Sequence, residues 1–226
     1  MRKRPFTTMV VALVAAALAG CSAAKPDGEY YRSGFLTDYD VLEPGAEGEA
    51  RLRYEADDAQ WSAYPKIILD RVTIWRGADR DVDEIAREDL VRLATYMYQA
   101  FLERLRRDHE VVHDPGPGVL RLRLALTDVS AETDELVVYS TVLPPPEHVG
   151  DADLVGSEAS EFLALANVEV EVTDSRTDEV LFAGVTRDIG GTALDGAADS
   201  YAEVERVFAR WASRVSDALT TRQQER

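Results

Sequence analysis

Val119-Leu120-Arg121-Leu122-Arg123-Leu124-Ala125-Leu126-Thr127 alternates strictly, with four leucines on one side and Arg121 and Arg123 on the other. Successive side chains of a strand point to opposite faces, so this run predicts a strand with one buried and one wet face. Pro115-Gly116-Pro117-Gly118, just ahead of it, must turn the chain. The alternation returns over residues 162–173, where Ala166, Val168, Val170 and Val172 oppose Asn167, Glu169 and Glu171. Residues 174–178 form a polar turn, and residues 179–188 read as the hairpin partner.

Working back from this unit, residues 66–75 (Lys-Ile-Ile-Leu-Asp-Arg-Val-Thr-Ile-Trp) are β-branched and aromatic and are bounded by Pro65 and Gly77. They predict a first strand. Asp81 then opens a helix whose apolar stripe is Val82, Ile85, Ala86, Leu90, Leu93, Met97, Phe101 and Leu105. Acids in its first turn and Arg104, Arg106 and Arg107 in its last match the helix dipole. Residues 109–113 are a short extended piece, and residues 136–143 read as a strand or a buried irregular run that Pro144-Pro145-Pro146 ends. Ser200-Tyr201-Ala202-Glu203 has capping-box spacing and launches a second helix, with Val204, Val207, Phe208, Trp211, Val215 and Leu219 on one face. Two one-sided helices and strands with one polar face predict an α+β two-layer sandwich. Its mixed or antiparallel sheet should have about four to five strands, with the long and the C-terminal helix packed on it.

Composition agrees with a globular chain: 46% of its 226 residues are hydrophobic and 30% charged, with 14 Gly and one Cys. Disordered, collagen-like and disulfide-scaffold classes are thereby excluded. With 42 acidic against 25 basic residues the net charge is −17, which argues against nucleic acid as a partner.

The N-terminus carries an address. Arg2-Lys3-Arg4 precedes an apolar run from Met9 to Leu18, and Leu18-Ala19-Gly20-Cys21 closes it with small residues. This is the tripartite logic of a secretory signal, and the run is shorter than the roughly 20 residues that span a bilayer. Leu-Ala-Gly-Cys resembles the bacterial lipobox, in which the Cys thiol takes a diacylglycerol and the bond before it is cut, so Cys21 is the expected lipid attachment site. Ser22, rather than Asp, follows it, which in Gram-negative sorting points to the outer membrane with the body facing the periplasm. The expected organisation is a signal peptide over 1–20, a flexible tether over 21–30 and an irregular arm packed on the domain over 31–60. A single α+β domain should follow over 61–220, with a frayed tail over 221–226.

Ser33-Gly34-Phe35-Leu36-Thr37-Asp38-Tyr39, Trp61-Ser62-Ala63-Tyr64, Pro115-Gly116-Pro117-Gly118-Val119-Leu120, Val170-Glu171-Val172-Thr173-Asp174-Ser175 and Trp211-Ala212 occur in this order. Together they resemble the landmarks of the bacterial lipoproteins grouped as domain of unknown function 3313, from about Tyr31 to Leu219. Three positions depart from that pattern: Arg71 where Pro follows the Asp, Asp178 where Gly follows the Thr, and Thr186 where Asp precedes the Arg. The resemblance implies a secreted, lipid-anchored α/β domain. The family has no assigned activity, so it carries over no catalytic residue.

Each motif that suggests chemistry has a plainer explanation. His109 and His113 are four apart, but Val111-Val112 breaks the helix that would align them as metal ligands, and no third ligand has sensible spacing. Gly156-Ser157-Glu158-Ala159 lacks the flanking glycines of a nucleophile elbow. Asp79, Asp81 and Asp83 open like a calcium loop, yet Glu84 and Leu90 stand where Gly and Glu are needed. Gly190-Gly191 has no phosphate motif around it and reads as a hinge or turn. The carboxylates are too scattered for a glycosidase pair. Trp61, Tyr64 and Trp75 suggest an aromatic ledge, or packing of the arm on the sheet.

The sequence therefore predicts a periplasmic lipoprotein without catalytic residues, cofactor or metal. It should meet the membrane through Cys21 and act as an adaptor by protein contact, its acidic body favouring an envelope protein with a basic surface. The alternatives are a binding module for a small ligand or cell-wall fragment and, behind it, an unrecognised hydrolase. Replacing Cys21 with Ala should give a chain without acyl mass, either soluble or held by an uncleaved leader. Intact-mass analysis with membrane fractionation checks this, and a soluble wild-type protein lacking acyl mass would refute the anchor.

Overall fold

The computed structural model describes residues 32–77, 87–127, 136–140, 166–186 and 201–224. Among these residues are nine strands, two α-helices and one 3-10 turn. The strands are β1 (Glu43–Pro44), β2 (Leu52–Glu55), β3 (Lys66–Leu69), β4 (Thr73–Gly77), β5 (Glu110–Val111), β6 (Val119–Thr127), β7 (Leu136–Ser140), β8 (Asn167–Asp174) and β9 (Val180–Thr186). The helices are α1 (Arg87–Asp108) and α2 (Tyr201–Gln224), and the 3-10 turn is Trp61–Ala63. All nine strands join one mixed sheet in the order β1-β2-β9-β8-β6-β3-β5, with β4 beside β6 and β7 beside β4. The α+β class and the two helices are as expected. The sheet is about twice the expected size.

Three differences account for its extra strands. First, the predicted strand over 66–75 is two strands on one line, both parallel to β6. Leu69 lies opposite Leu122 and Thr73 opposite Ala125, so three residues on one side face two on the other. That single extra residue reverses the side-chain phase. Ile67 and Leu69 before the break, and Val72 and Ile74 after it, all reach the same core. The Asp70 N–H bonds to the Leu122 carbonyl across the gap at 3.0 Å, which keeps the ladder paired. Second, the outer edge is shared: β5 pairs with β3, and β7 runs antiparallel to β4. The run beginning at Leu136 is therefore a strand. Third, the expected irregular arm carries β1 and β2, and β2 pairs with β9 from Leu52 opposite Val185 to Glu55 opposite Phe182. Four alternating residues that follow Gly45 and Gly48 are too short a pattern to announce a strand.

The β8–β9 hairpin forms as read. Asp174 Oδ1 accepts the N–H groups of Arg176 (2.8 Å) and Thr177 (3.0 Å), closing the turn on itself. Asp178, the residue that departs from the family's glycine, sits at φ 58°, a conformation that Asp tolerates. Gly118 closes the turn before β6 at φ 68°, where a Cβ would stand 2.9 Å from the Ala63 carbonyl oxygen.

One face of the sheet packs on the helices. Leu90, Leu93, Met97, Phe101 and Leu105 of α1 are fully buried, as are Val204 and Phe208 of α2, with Trp211 almost so. They meet Leu120, Leu122, Leu124 and Leu126 of β6 and Val168, Val170 and Val172 of β8 in one cluster. The proposed helix opening at residues 81–86 and the Ser200 cap lie outside the described residues. At the far end α2 continues to Gln224, into the stretch expected to fray, because Arg222 and Gln223 bond to Glu55 and the Tyr64 carbonyl.

Trp211 packs against Phe208 in this layer, with ring centroids 5.5 Å apart and planes tilted by 48°. Truncating it to Ala should cost roughly 3–5 kcal/mol through lost burial and the cavity left behind. A urea melt of the variant checks this, and an unchanged midpoint would refute the shared core.

Candidate functional site

The opposite face of the sheet was expected to be wet, and its centre is not. Glu169 and Glu171 of β8 are fully buried, and Thr127 and Thr173 nearly so. Residues 32–42 cover them, with Phe35, Leu36 and Tyr39 packing on Ala125, Ala183, Val185 and Leu52 as a second small core. Two carboxylates under an apolar cover need donors, and the arm and β6 bring them. Tyr39 Oη donates to Glu169 Oε2 at 2.5 Å and Ser33 Oγ to the same oxygen at 3.0 Å. Thr127 Oγ1 donates to Oε1 at 3.0 Å. Glu171 accepts the Thr37 N–H at 2.7 Å and pairs with Arg123. The Arg123 guanidinium lies 4.7 Å over the Phe35 ring and donates to the Phe35 carbonyl at 3.2 Å. Tyr39 Oη also accepts the Phe35 and Leu36 N–H groups, so the arm's own turn is organised by the same hydroxyl.

This cluster fastens the arm and leaves no room for a substrate. Burial pushes the Glu169 carboxyl above the ordinary carboxylate range, although its three hydroxyl donors pull the other way. Burial also raises the Tyr39 phenol, with the Glu169 charge adding to it.

A second polar cluster joins the helices. Ser216 Oγ of α2 donates to Asp108 Oδ2 at 2.7 Å and lies 3.5 Å from His109 Nε2. Serine, histidine and aspartate thus meet, but not as a nucleophile. The serine proton is committed to the carboxylate and Ser216 is fully buried, beyond the reach of a substrate. Burial lowers the His109 imidazole, against the pull of Asp108. His113 is exposed and apart from it. Among the described residues no three His, Cys, Asp or Glu side chains converge as a metal site.

The open site lies along the same stretch of α2, on its flank turned to β9 and β2. A groove of about 650 Å³ has Trp61, Val170, Val172, Phe182, Gly184 and Leu219 in its floor. In-register pairing places Gly184 between Val170 of β8 and Arg53 of β2. A Cβ there would stand 3.2 Å from the Phe182 ring and 3.3 Å from the Ala50 Cβ, so glycine lets Phe182 and Ala50 close over the strand. The wall is charged. Arg222 bonds to Glu55 at 2.7 and 2.9 Å and lies 5.8 Å over Trp61 and 5.4 Å over Phe182. Arg53 pairs with the same Glu55 and with Glu49 (2.8 Å). The Arg222 bond holds the Glu55 carboxyl below its usual range. Arg214 stands on the rim as a third arginine.

Of the residues singled out in the sequence, Trp61 is brought to this groove, while Tyr64 turns away and donates to Asp174 at 3.0 Å. Cys21, Asp79, Asp81, Asp83, Glu84, Gly156, Ser157, Gly190 and Gly191 lie outside the described residues, as does the Trp75 side chain. The groove's remaining residues come from three distant segments, and only the odd glycine in a strand pattern, Gly184, signalled a close approach.

Because Glu169 binds its proton more tightly folded than unfolded, the native state holds more protons just above the ordinary Glu range near 4.5. Stability should therefore fall as pH rises through that window. Glu169→Gln should flatten this slope in urea midpoints measured from pH 4 to pH 8. Tyr39→Phe, which strips a donor from a buried carboxylate, should cost about 1–3 kcal/mol at neutral pH.

No curated protein and no solved structure matches the chain. A family model does, over residues 31–215, from the arm that covers Glu169 into the middle of α2. With most of its length matched, the chain belongs to the family described as Protein of unknown function (DUF3313).

Proposed function

We propose that this protein is a lipid-anchored component of the cell envelope, held to the outer membrane through Cys21, whose domain binds a small ligand non-covalently in the groove beside α2. The groove carries this reading. Its volume falls within the ~300–1,000 Å³ of small-molecule sites, and an apolar floor faces a few fixed charged groups. The adaptor reading needs an exposed apolar patch or a long free strand edge. Among the described residues Val41, at 39% exposure, is the one large apolar side chain left in solvent, and the edge strands β1, β5 and β7 are two, two and five residues long. The Ser216 hydroxyl is fully buried, which speaks against hydrolysis at its cluster with His109 and Asp108.

Native mass spectrometry of protein released gently from envelopes should find a bound small molecule. Ala218→Trp, which fills the groove from α2 without changing charge, should lower its occupancy at least tenfold at an unchanged melting temperature. A wild-type protein carrying nothing, or occupancy indifferent to the filled groove, would overturn the reading.

A further inference from the structure

The charge balance around the groove names a ligand class, an inference that rests on the binding reading above. The chain as a whole is strongly acidic, at −17. At the groove, however, each acid already serves an arginine. Glu49 pairs with Arg53 and Glu55 with both Arg53 and Arg222, while Asp217 turns to Arg104 of α1 at 2.7 Å. Arg214 is exposed on the rim and has no ion pair among the described residues. Arg104 is itself shared with Asp108, so the cluster is neutral overall, and Arg214 is the guanidinium of the rim that has no carboxylate on it among the described residues.

The volume sets the size. A groove of about 650 Å³ lies in the range of small-molecule sites and has room for one hydrocarbon chain with its head. The head follows from the rim. A guanidinium offers a planar fork that matches two carboxylate oxygens, whereas a doubly charged phosphate would meet the nearby Glu49 and Asp217 carboxylates at greater cost. We propose that the groove binds a single-chain amphiphile with a carboxylate head, its chain along Trp61, Phe182 and Leu219 and its head paired with Arg214.

The test uses the intact lipidated protein in vesicles of zwitterionic lipid, with a long-chain fatty acid bearing a diazirine in its tail and, separately, its methyl ester. After illumination, the acid should label peptides containing Phe182 or Leu219, and the ester should label them about tenfold less. Arg214→Glu should bring labelling by the acid down to the level of the ester, and Arg214→Lys should retain most of it. Arg214 makes no ion pair among the described residues, so both variants should melt like the wild type. Equal labelling by acid and ester, or indifference to Arg214→Glu, overturns the carboxylate assignment while leaving a groove that binds apolar chains. Absence of groove labelling by either probe overturns the assignment too, and its agreement with an empty protein in native mass spectrometry would remove the binding reading with it.

Discussion

Two packed helices, each about 10 Å across, cover about 20 Å of sheet, whereas seven strand positions spaced about 4.8 Å apart span about 29 Å. The sheet of this protein is wider than the helix layer formed by α1 and α2. Apolar surface left over at the β9–β2 end must be covered or become a groove, and here it does both. The terminal residues of α2 reach across to Glu55 and Trp61, and the floor around Gly184 stays open beneath them.

The same width exposes the sheet's other face, which no described helix covers. The N-terminal arm takes that role with Phe35, Leu36 and Tyr39, three buried side chains too few to make a layer, and the buried carboxylates compensate. Glu169 and Glu171 stand as fixed acceptors at the centre of the sheet, and only a segment presenting Ser33, the Thr37 N–H and Tyr39 in one turn can satisfy them. A greasy face would have accepted many covers in many registers. A face with two desolvated carboxylates accepts one, since any misplaced arm leaves a buried charge without donors.

The arm is also the first described structure after the residues that carry the lipobox-like sequence. In the proposed arrangement the anchor would pull on the arm rather than on the helices, and the arm's β2 would pass that load to β9 through main-chain bonds. The groove lies on the helix face near that same sheet edge, with Ala50 and Arg53 of the arm in its wall. Membrane tether and ligand site would thereby share one structural segment.

Local periodicity determined much of this protein. The strict alternation of Val119–Thr127 and of Ala166–Thr173, the stripe from Leu90 to Leu105 and the stripe from Val204 to Leu219 fixed the central strands, the two helices and the core between them, because burial on one face writes a period into the chain. Short strands such as β1, β2 and β5 write no period, and so the sheet's width was not legible. Nor was the fate of Glu169 and Glu171. Their alternation with valine is the same whether the polar face meets water or meets Tyr39, 130 residues away. The groove was hidden for the same reason: Arg53, Trp61, Phe182, Arg214 and Arg222 are unremarkable one by one, and become a site only where tertiary pairing engages Arg53 and Arg222 with Glu55 and leaves Arg214 without an ion pair among the described residues. Sequence fixes which face of an element is apolar; which distant segment satisfies or uncovers that face is decided by packing.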